Sequence, residues 1–155
     1  MDLQLSKGAD IAKDPYFFAL LTGSYARLVG SSLVAQGSDP AWLYHEAPFA
    51  VVAHNTEADP RFIYANETAQ ACFEYSWNEF IQLRSRLSAE PPNHMERQRL
   101  LEAVASRGFV SGYSGLRSSK SGRAFRIEDG VIWQLMDEEG ISHGQAAVFR
   151  SWRDV

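Results

Sequence analysis

The stretch Phe62–Leu83, FIYANETAQACFEYSWNEFIQL, decides the fold, because it joins a strand, a short helix and a second helix through explicit start signals. Phe62 to Ala65 is an apolar run of strand length. Asn66 follows it as a natural N-cap, its side-chain oxygen placed to take a free backbone N–H of a helix beginning at Glu67. Ser76 and Glu79 then have the S-x-x-E spacing of a capping box, with Tyr75 before the cap and Phe80 inside the helix placed as a hydrophobic staple.

Working outward toward the N-terminus, Phe49 to Ala53 reads as a buried strand, and His54-Asn55 with Asp59-Pro60 supply a turn into Phe62, so the two strands form a hairpin. Both faces of this hairpin are largely apolar, which suits strands covered on each side. Before it, Asp39-Pro40 opens a short helical turn carrying Trp42, Leu43 and Tyr44, and Gln36 to Pro40 breaks the pattern as a linker. Asp14-Pro15 opens a longer helix, with Asp as cap and Pro at the first position. From Tyr16 to about Ala35, Phe17, Leu21, Leu28 and Val29, with Phe18, Leu20, Tyr25 and Leu33 nearby, make one broad stripe. That amphipathic face needs cover, either from its own domain or from the same helix in a second copy.

Toward the C-terminus, Arg84 to Pro92 has two prolines and little periodicity, and is expected to be a loop. Asn93 caps a helix with Glu96 at the third position, Leu100, Leu101 and Val104 form its buried stripe, and Gly108 ends it. From Phe109 the period changes to two. Three strands follow, about Val110 to Ser118, Ala124 to Met136 and Ile141 to Phe149, with Gly122 and Gly140 in the hairpin turns. Phe125, Ile127, Val131, Trp133 and Leu135 are expected on one face of the middle strand, which is long enough to need a bulge at Asp129-Gly130. The order of elements is α+β: one five-stranded antiparallel sheet with helices on one face, preceded by the N-terminal amphipathic helix.

At 155 residues and 45% hydrophobic content, the chain fits one globular domain with a real core. Met1 to Asp10 lacks a basic start followed by an apolar run, and no apolar stretch reaches the ~18 residues needed to span a bilayer, so a cytoplasmic protein without membrane association is expected. The single Cys72 forms no internal disulfide, and no Cys/His spacing suggests a structural metal site. A net charge of -4 argues against nucleic-acid binding that rests on neutralising phosphates.

The apolar strand ending in Tyr64-Ala65-Asn66, then Ala69, Phe73, Tyr75-Ser76 and Glu79, resembles the core of a PAS domain, whose pattern runs strand, Asn cap, helix, Gly-Tyr-Ser, Glu; here Glu74 stands at the Gly position. More narrowly, residues 47–66 (APFAVVAHNTEADPRFIYAN), 85–91 (SRLSAEP) and 122–140 (GRAFRIEDGVIWQLMDEEG) resemble the MEKHLA domain family, a PAS-related group found as small stand-alone bacterial proteins and at the C-terminus of plant class III homeodomain-leucine-zipper factors. The hexapeptide that names the family is absent. The resemblance covers about Trp42 to Phe149. It implies a PAS sheet order, with the first two strands central and beside the last, and it favours dimerisation through a helix before the core. The expected division is residues 1–40 as helical extension and linker, 41–150 as the PAS-like domain and 151–155 as a tail.

No catalytic constellation stands out: His45, His54, His94 and His143 are scattered, and no HExxH, nucleophile elbow or phosphate loop occurs. Phe73, Tyr75, Trp77, Tyr113, Phe125, Trp133 and Phe149 fall on elements that enclose the space between sheet and helices. They form either close-packed core or the wall of a pocket. Phe73, Tyr75, Phe125, Trp133 and Phe149, with Cys72 and His143, are the candidate ligand-site residues. Cys72 reads as a small buried hydrophobe, inert because apolar surroundings raise its pKa. The Asn-Cys-Arg-Phe-Leu-Gln type motif that carries flavin adduct chemistry in the LOV branch of PAS has no match. Haem, held in some PAS proteins by a His on the helix that starts near His94, meets here a residue at a solvated helix start. Arg97 and Arg99, with Arg84 and Arg86, form either an anion-binding rim or, with Glu90, Glu96 and Glu102 interleaved, an ordinary mixed-charge face.

The expected function is a small PAS-like sensory, ligand-binding and regulatory module that signals through self-association, as a homodimer through the N-terminal helix, or through a partner protein. The ligand is an unidentified small organic molecule. The alternative is a protein-interaction module with a filled core and no ligand. A third reading, a small enzyme using Glu128 or Asp129 as base with His143, requires those groups within hydrogen-bond reach.

Overall fold

The structure, a computed structural model, describes residues 8–90 and 93–155. Most of the Met1–Asp10 start and the two prolines of the expected Arg84–Pro92 loop lie outside the described residues. A 3-10 turn at Gly8–Lys13 leads into α1 (Pro15–Val29) and α2 (Pro40–His45), then β1 (Ala50–His54), β2 (Phe62–Ala65), α3 (Glu67–Phe73) and α4 (Trp77–Phe80). A second 3-10 turn at Ser85–Ser88 precedes α5 (His94–Arg107), β3 (Phe109–Ser118), β4 (Ala124–Met136), β5 (Ser142–Phe149) and β6 (Ser151–Asp154).

Short polar residues start these helices where the chain would otherwise leave N–H groups bare. Asp14, Asp39 and Asn66 accept from the backbone N–H of Phe17, Trp42 and Ala69, and Ser76 with Glu79 closes a reciprocal capping box. Tyr75 packs on Phe80 at 5.6 Å between ring centres, as a staple requires. Asn93 differs from expectation: it makes no capping bond, and Glu96 turns instead toward Arg117 on β3.

All strand pairs are antiparallel, in the order β2-β1-β5-β4-β3, with β6 on β4. The first strand lies beside the last long one as the resemblance implies, but β2 is an edge strand rather than central, and Leu83 and Arg84 bond along its outer side. The sheet has six strands rather than five. Beyond Arg150 the chain runs on as β6, pairing Ser151–Asp154 with Glu128–Phe125 in the register that β5 holds with Val131–Gln134.

Each face of the sheet buries its own apolar layer. On one, α3, α4 and α5 bring Ala69, Cys72, Phe73, Phe80 and Val104 onto Val52, Phe125, Ile127, Ile132 and Phe149. On the other, α1 and the first 3-10 turn bring Ile11, Phe17, Leu20, Leu21 and Tyr25 onto Val51, Trp133, Leu135 and Val148. The PAS-type helices therefore share one face, and α1 closes the opposite one. Its apolar stripe is spent on its own domain.

The expected bulge is at Asp129-Gly130, where Asp129 has φ 51° and the β3–β4 register slips between Tyr113↔Gly130 and Gly115↔Ile127. One added residue inverts the alternation of side chains beyond it. Phe125 and Ile127 therefore face α3 and α5, whereas Trp133 and Leu135 face α1, which corrects the expectation that all four share a face. Gly144 answers a different demand: it has φ 135° and a Cβ there would lie 1.9 Å from the His54 carbonyl oxygen, so only glycine lets β1 and β5 meet at this end. No helix among the described residues is long and apolar enough to cross a membrane.

Candidate functional site

A cavity of about 70 Å³ lies between the sheet and the α5 side of the fold. With ~30 Å³ as one water's share of liquid volume, it has room for about two waters or a ligand of a few heavy atoms. Its apolar wall includes Val52, Phe73, Leu100, Ile127, Ile132 and Phe149, and its polar lining is His54, Ser85, Ser88, Arg97, Tyr113, Arg117 and Gln145. So many polar side chains in a buried layer need partners or a purpose.

Two of them are cations. Arg97, on α5, and Arg117, on β3, are each only 7% exposed. Arg97 donates to the Ser85 hydroxyl and has no carboxylate partner among the described residues. Arg117 donates to the Leu116 carbonyl at 2.6 Å, lies over the Tyr113 ring, and has Glu96 as its carboxylate partner at 3.5 Å. Glu96 is itself about half exposed, so its charge is shared with solvent. Burial, reinforced by the like charge of Arg117 and opposed by the attraction of Asp59, pulls the Arg97 guanidinium down to about 10.

Three further groups are buried without hydrogen-bond partners: the Tyr113 hydroxyl, His54 Nε2 and Gln145 Oε1. The Tyr113 hydroxyl passes over Gly115, where a Cβ would lie 2.2 Å from it. Burial pushes that phenol up to about 12, so it remains a donor. His54 Nδ1 lies 3.0 Å from the Asn55 carbonyl oxygen. A carbonyl accepts, so Nδ1 carries the proton and Nε2 is a bare acceptor. Burial lowers this imidazole to about 4, against a raising effect from the Asn55 carbonyl and a lowering one from Arg97. Gln145 donates through its amide nitrogen to the Leu101 carbonyl at 3.1 Å, which leaves its oxygen free.

The residues singled out from the sequence are only partly gathered here. Phe73 and Phe149 line the cavity, and Phe125 and Cys72 lie in the same buried layer behind them. Tyr75 packs on Phe80 at the margin of that layer. Trp133 is on the opposite face, edge-on to Tyr25 at 4.9 Å, because the bulge inverts the strand. His143 is drawn to the β4–β5 turn by Asp137, 2.9 Å from its Nε2. Of the two acids of the enzyme reading, Glu128 pairs with Arg153 at 3.2 Å and Asp129 is the exposed bulge residue; His143 is held by Asp137 instead, so neither base–histidine pair is assembled among the described residues. Burial pushes the Cys72 thiol up to about 12, which keeps it protonated.

Pockets that hold drug-sized ligands run to roughly 300–1,000 Å³, so neither a flavin nor a haem fits the cavity residues as placed. His94 points to the Ala89 carbonyl at 3.0 Å, and no cysteine lines the cavity. Arg84 and Arg86 are paired with Glu57 and Asp59 as a mixed-charge surface, while Arg97 turns inward. Gln145 and Arg117 are site residues that the sequence reading passed over. Arg117 follows Tyr113 and Gly115 at a spacing of two, so a period-two reading of β3 carries an inward charge, which was the available signal.

The family model described as the MEKHLA domain matches residues 16–154. No curated protein matches the sequence. Among solved structures, a PAS domain from Colwellia psychrerythraea is 18% identical, with a TM-score of 0.62 over 74% of this chain and 92% of that one. The LOV domain of the blue-light photoreceptor Aureochrome1 is 18% identical, with a TM-score of 0.53 over 64% and 72%. The PAS domain of a LuxR-family transcriptional regulator from Burkholderia thailandensis, solved in complex with ethanol, is 16% identical, with a TM-score of 0.57 over 76% and 98%. At such identities these likenesses establish the fold alone.

Proposed function

The chain belongs to the MEKHLA domain family, and from that premise we propose that it is a PAS-like sensory module whose ligand sits in the cavity between the sheet and α5 and biases the seating of α1 on the opposite face. One observation carries this reading. Neighbouring residues of β4 serve the two sides, Ile132 lining the cavity and Trp133 bonding to α1 through Ser24. A ligand that shifts β4 by a fraction of an ångström changes the fit of Trp133 under α1, and a difference in affinity between two seatings of α1 is all that signalling requires. The size of the cavity limits the effect. A ligand of about five heavy atoms has at most ~1.5 kcal/mol per atom to spend on binding, so a coupling of about 1–3 kcal/mol, or 5–150-fold, is the expected scale.

The solved relative that holds ethanol supports a small ligand for this class of fold. The reading also puts the protein in the cytoplasm, where its lone buried thiol stays reduced. The test is native mass spectrometry of protein purified from its own host, followed by hydrogen exchange of α1 with the ligand present and after its removal. A mass excess that vanishes on denaturation, with altered exchange in Pro15–Val29, is expected. A bare mass together with unchanged α1 exchange in an Ile132→Phe variant, which fills the cavity, rejects the coupling.

The second reading is an interaction module acting through self-association or a partner protein. It draws on the outer side of α1, where Tyr16 is 62% exposed beside exposed Ala19 in a groove against the β4–β5 turn. A sedimentation mass of twice the chain weight that falls to one chain in Tyr16→Glu supports a homodimer through this side of α1. A single-chain mass at all concentrations removes it.

A further inference from the structure

Resting on the ligand-pocket reading above, we infer that the cavity takes a small aliphatic monocarboxylate, its carboxylate held by Arg97, Arg117 and the Tyr113 hydroxyl and its tail against Ile127, Ile132 and Phe149. The first ground is charge. Two guanidiniums, each more than nine-tenths buried, line one small cavity and have between them one carboxylate in ion-pair contact, the half-exposed Glu96 on Arg117, while Asp59 acts on Arg97 without an ion-pair contact. An unpaired charge held out of water is costly, and one added anion removes that cost where a neutral ligand does not. The repulsion between the two arginines, which already weakens the hold of Arg97 on its proton, turns into shared attraction once an anion lies between them.

The second ground is the donor set. Guanidinium groups present planar pairs of N–H bonds that match the two oxygens of a carboxylate, and the buried Tyr113 hydroxyl, beside Arg117 and without an acceptor for its proton, adds a third donor at the same end of the cavity. The third ground is the remaining wall, which is aliphatic and aromatic. A phosphate would bring a second charge and no apolar surface to meet that wall, whereas a chain of two or three carbons meets it and fits a volume of about 70 Å³. His54 Nε2 and Gln145 Oε1 are both acceptors and face the β1–β5 side, so they take no part in holding the carboxylate.

The test uses the full chain and two-dimensional amide NMR at constant ionic strength, with three probes that share a three-carbon chain: propionate, propionamide and 1-propanol. Saturable shifts at Tyr113, Ile132 and Ala147 are expected with propionate, with affinity about 10-fold or more above propionamide, the scale of a charge-assisted hydrogen bond. Arg97→Gln and Arg117→Gln are each expected to weaken propionate by about 10-fold while leaving 1-propanol unchanged. If the three probes bind alike, the carboxylate inference is overturned and the pocket reading stands. If none shifts these residues, both fall. Should either arginine variant fail to fold, the comparison of probes on the unaltered protein decides by itself.

Discussion

Trp133 donates its indole N–H to the Ser24 hydroxyl at 2.9 Å, and neither residue is exposed at all, so β4 and α1 are tied by a hydrogen bond closed off from water. Ser24 in turn donates to the Leu21 carbonyl at 3.2 Å, and Tyr25 meets the same indole edge-on. Removing the hydroxyl leaves a buried N–H without an acceptor, which costs more than the bond itself contributes. Ser24→Ala is therefore expected to lower stability by about 1–3 kcal/mol in urea unfolding and to speed hydrogen exchange in α1 before the rest of the chain. The double variant with Trp133→Phe, which removes both partners, should lose less than the sum of the two single losses.

Asn66 makes a second such knot. Fully buried, it accepts through Oδ1 from Val51 and Ala69 and donates through Nδ2 to the carbonyls of Leu43 and Phe49, so one side chain fixes α2, β1, β2 and α3 together. Asn66→Ala is expected to cost about 3–5 kcal/mol, since several backbone groups lose their partners at once. Asn66→Asp should cost at least as much, because a carboxylate oxygen would then face two carbonyl oxygens. A melting temperature within a few degrees of the parent for either variant would contradict this.

The difference between these two knots shows what the sequence made legible. Asn66 lies between an apolar run and a helix, and its capping role is a local matter of spacing, as are Asp14, Asp39 and the Ser76–Glu79 box. The bulge was legible too, from strand length and Asp129-Gly130. Its consequence lies in the pairing with β3 and not in the local sequence: a single inserted residue moves Trp133 from the face of Phe125 to the face of Ser24. Candidate pocket residues chosen by aromatic type therefore included core members, while the groups that give the cavity its polarity are Arg97, Arg117, Tyr113, His54 and Gln145. An inward-turned arginine reads as a surface residue until the strand and helix that bury it are in place. Nothing local in sequence separates Arg97, which goes inward, from Arg84 and Arg86, which find Glu57 and Asp59 at the surface.

His54 predicts a pH dependence. Burial holds its folded imidazole at about 4, below the ordinary 6.5 of the unfolded chain, and Arg97 on α5 opposes the charge as well. Between those values the unfolded state binds the additional proton, so stability is full above pH 6.5 and falls as pH drops toward 4, by ~3 kcal/mol in total. Urea unfolding at pH 7.0 and 4.5 should show this fall in the parent and a shallower one in His54→Gln. Equal falls in the two proteins would assign the acid sensitivity to other groups.

Glu74 is also lowered, but because its charged form is held and not because it is excluded, in a position where its backbone alone would favour glycine. At φ 66° it ends α3 in the left-handed region, the place at which the PAS pattern has Gly, yet its carboxylate reaches the β3–β4 turn. Hydrogen bonds from Ser121 and Ser119, with Arg123 beside them at 3.2 Å, hold that carboxyl down to about 2 from an ordinary 4.5. The strained backbone is therefore kept for the sake of the link between α3 and the turn. Because the folded value is the lower one, the link's contribution is present above pH 4.5 and is lost as pH falls toward 2. Glu74→Gln should accordingly be less stable than the parent at pH 7, with the gap closing on acidification through that window. Glu74→Gly gains backbone freedom but loses the link, so it should free the 119–123 turn to faster hydrogen exchange while α3 itself stays protected. A gap between Glu74→Gln and the parent that stays constant from pH 7 down to 2.5 would mean that the carboxylate charge plays no part in holding the turn.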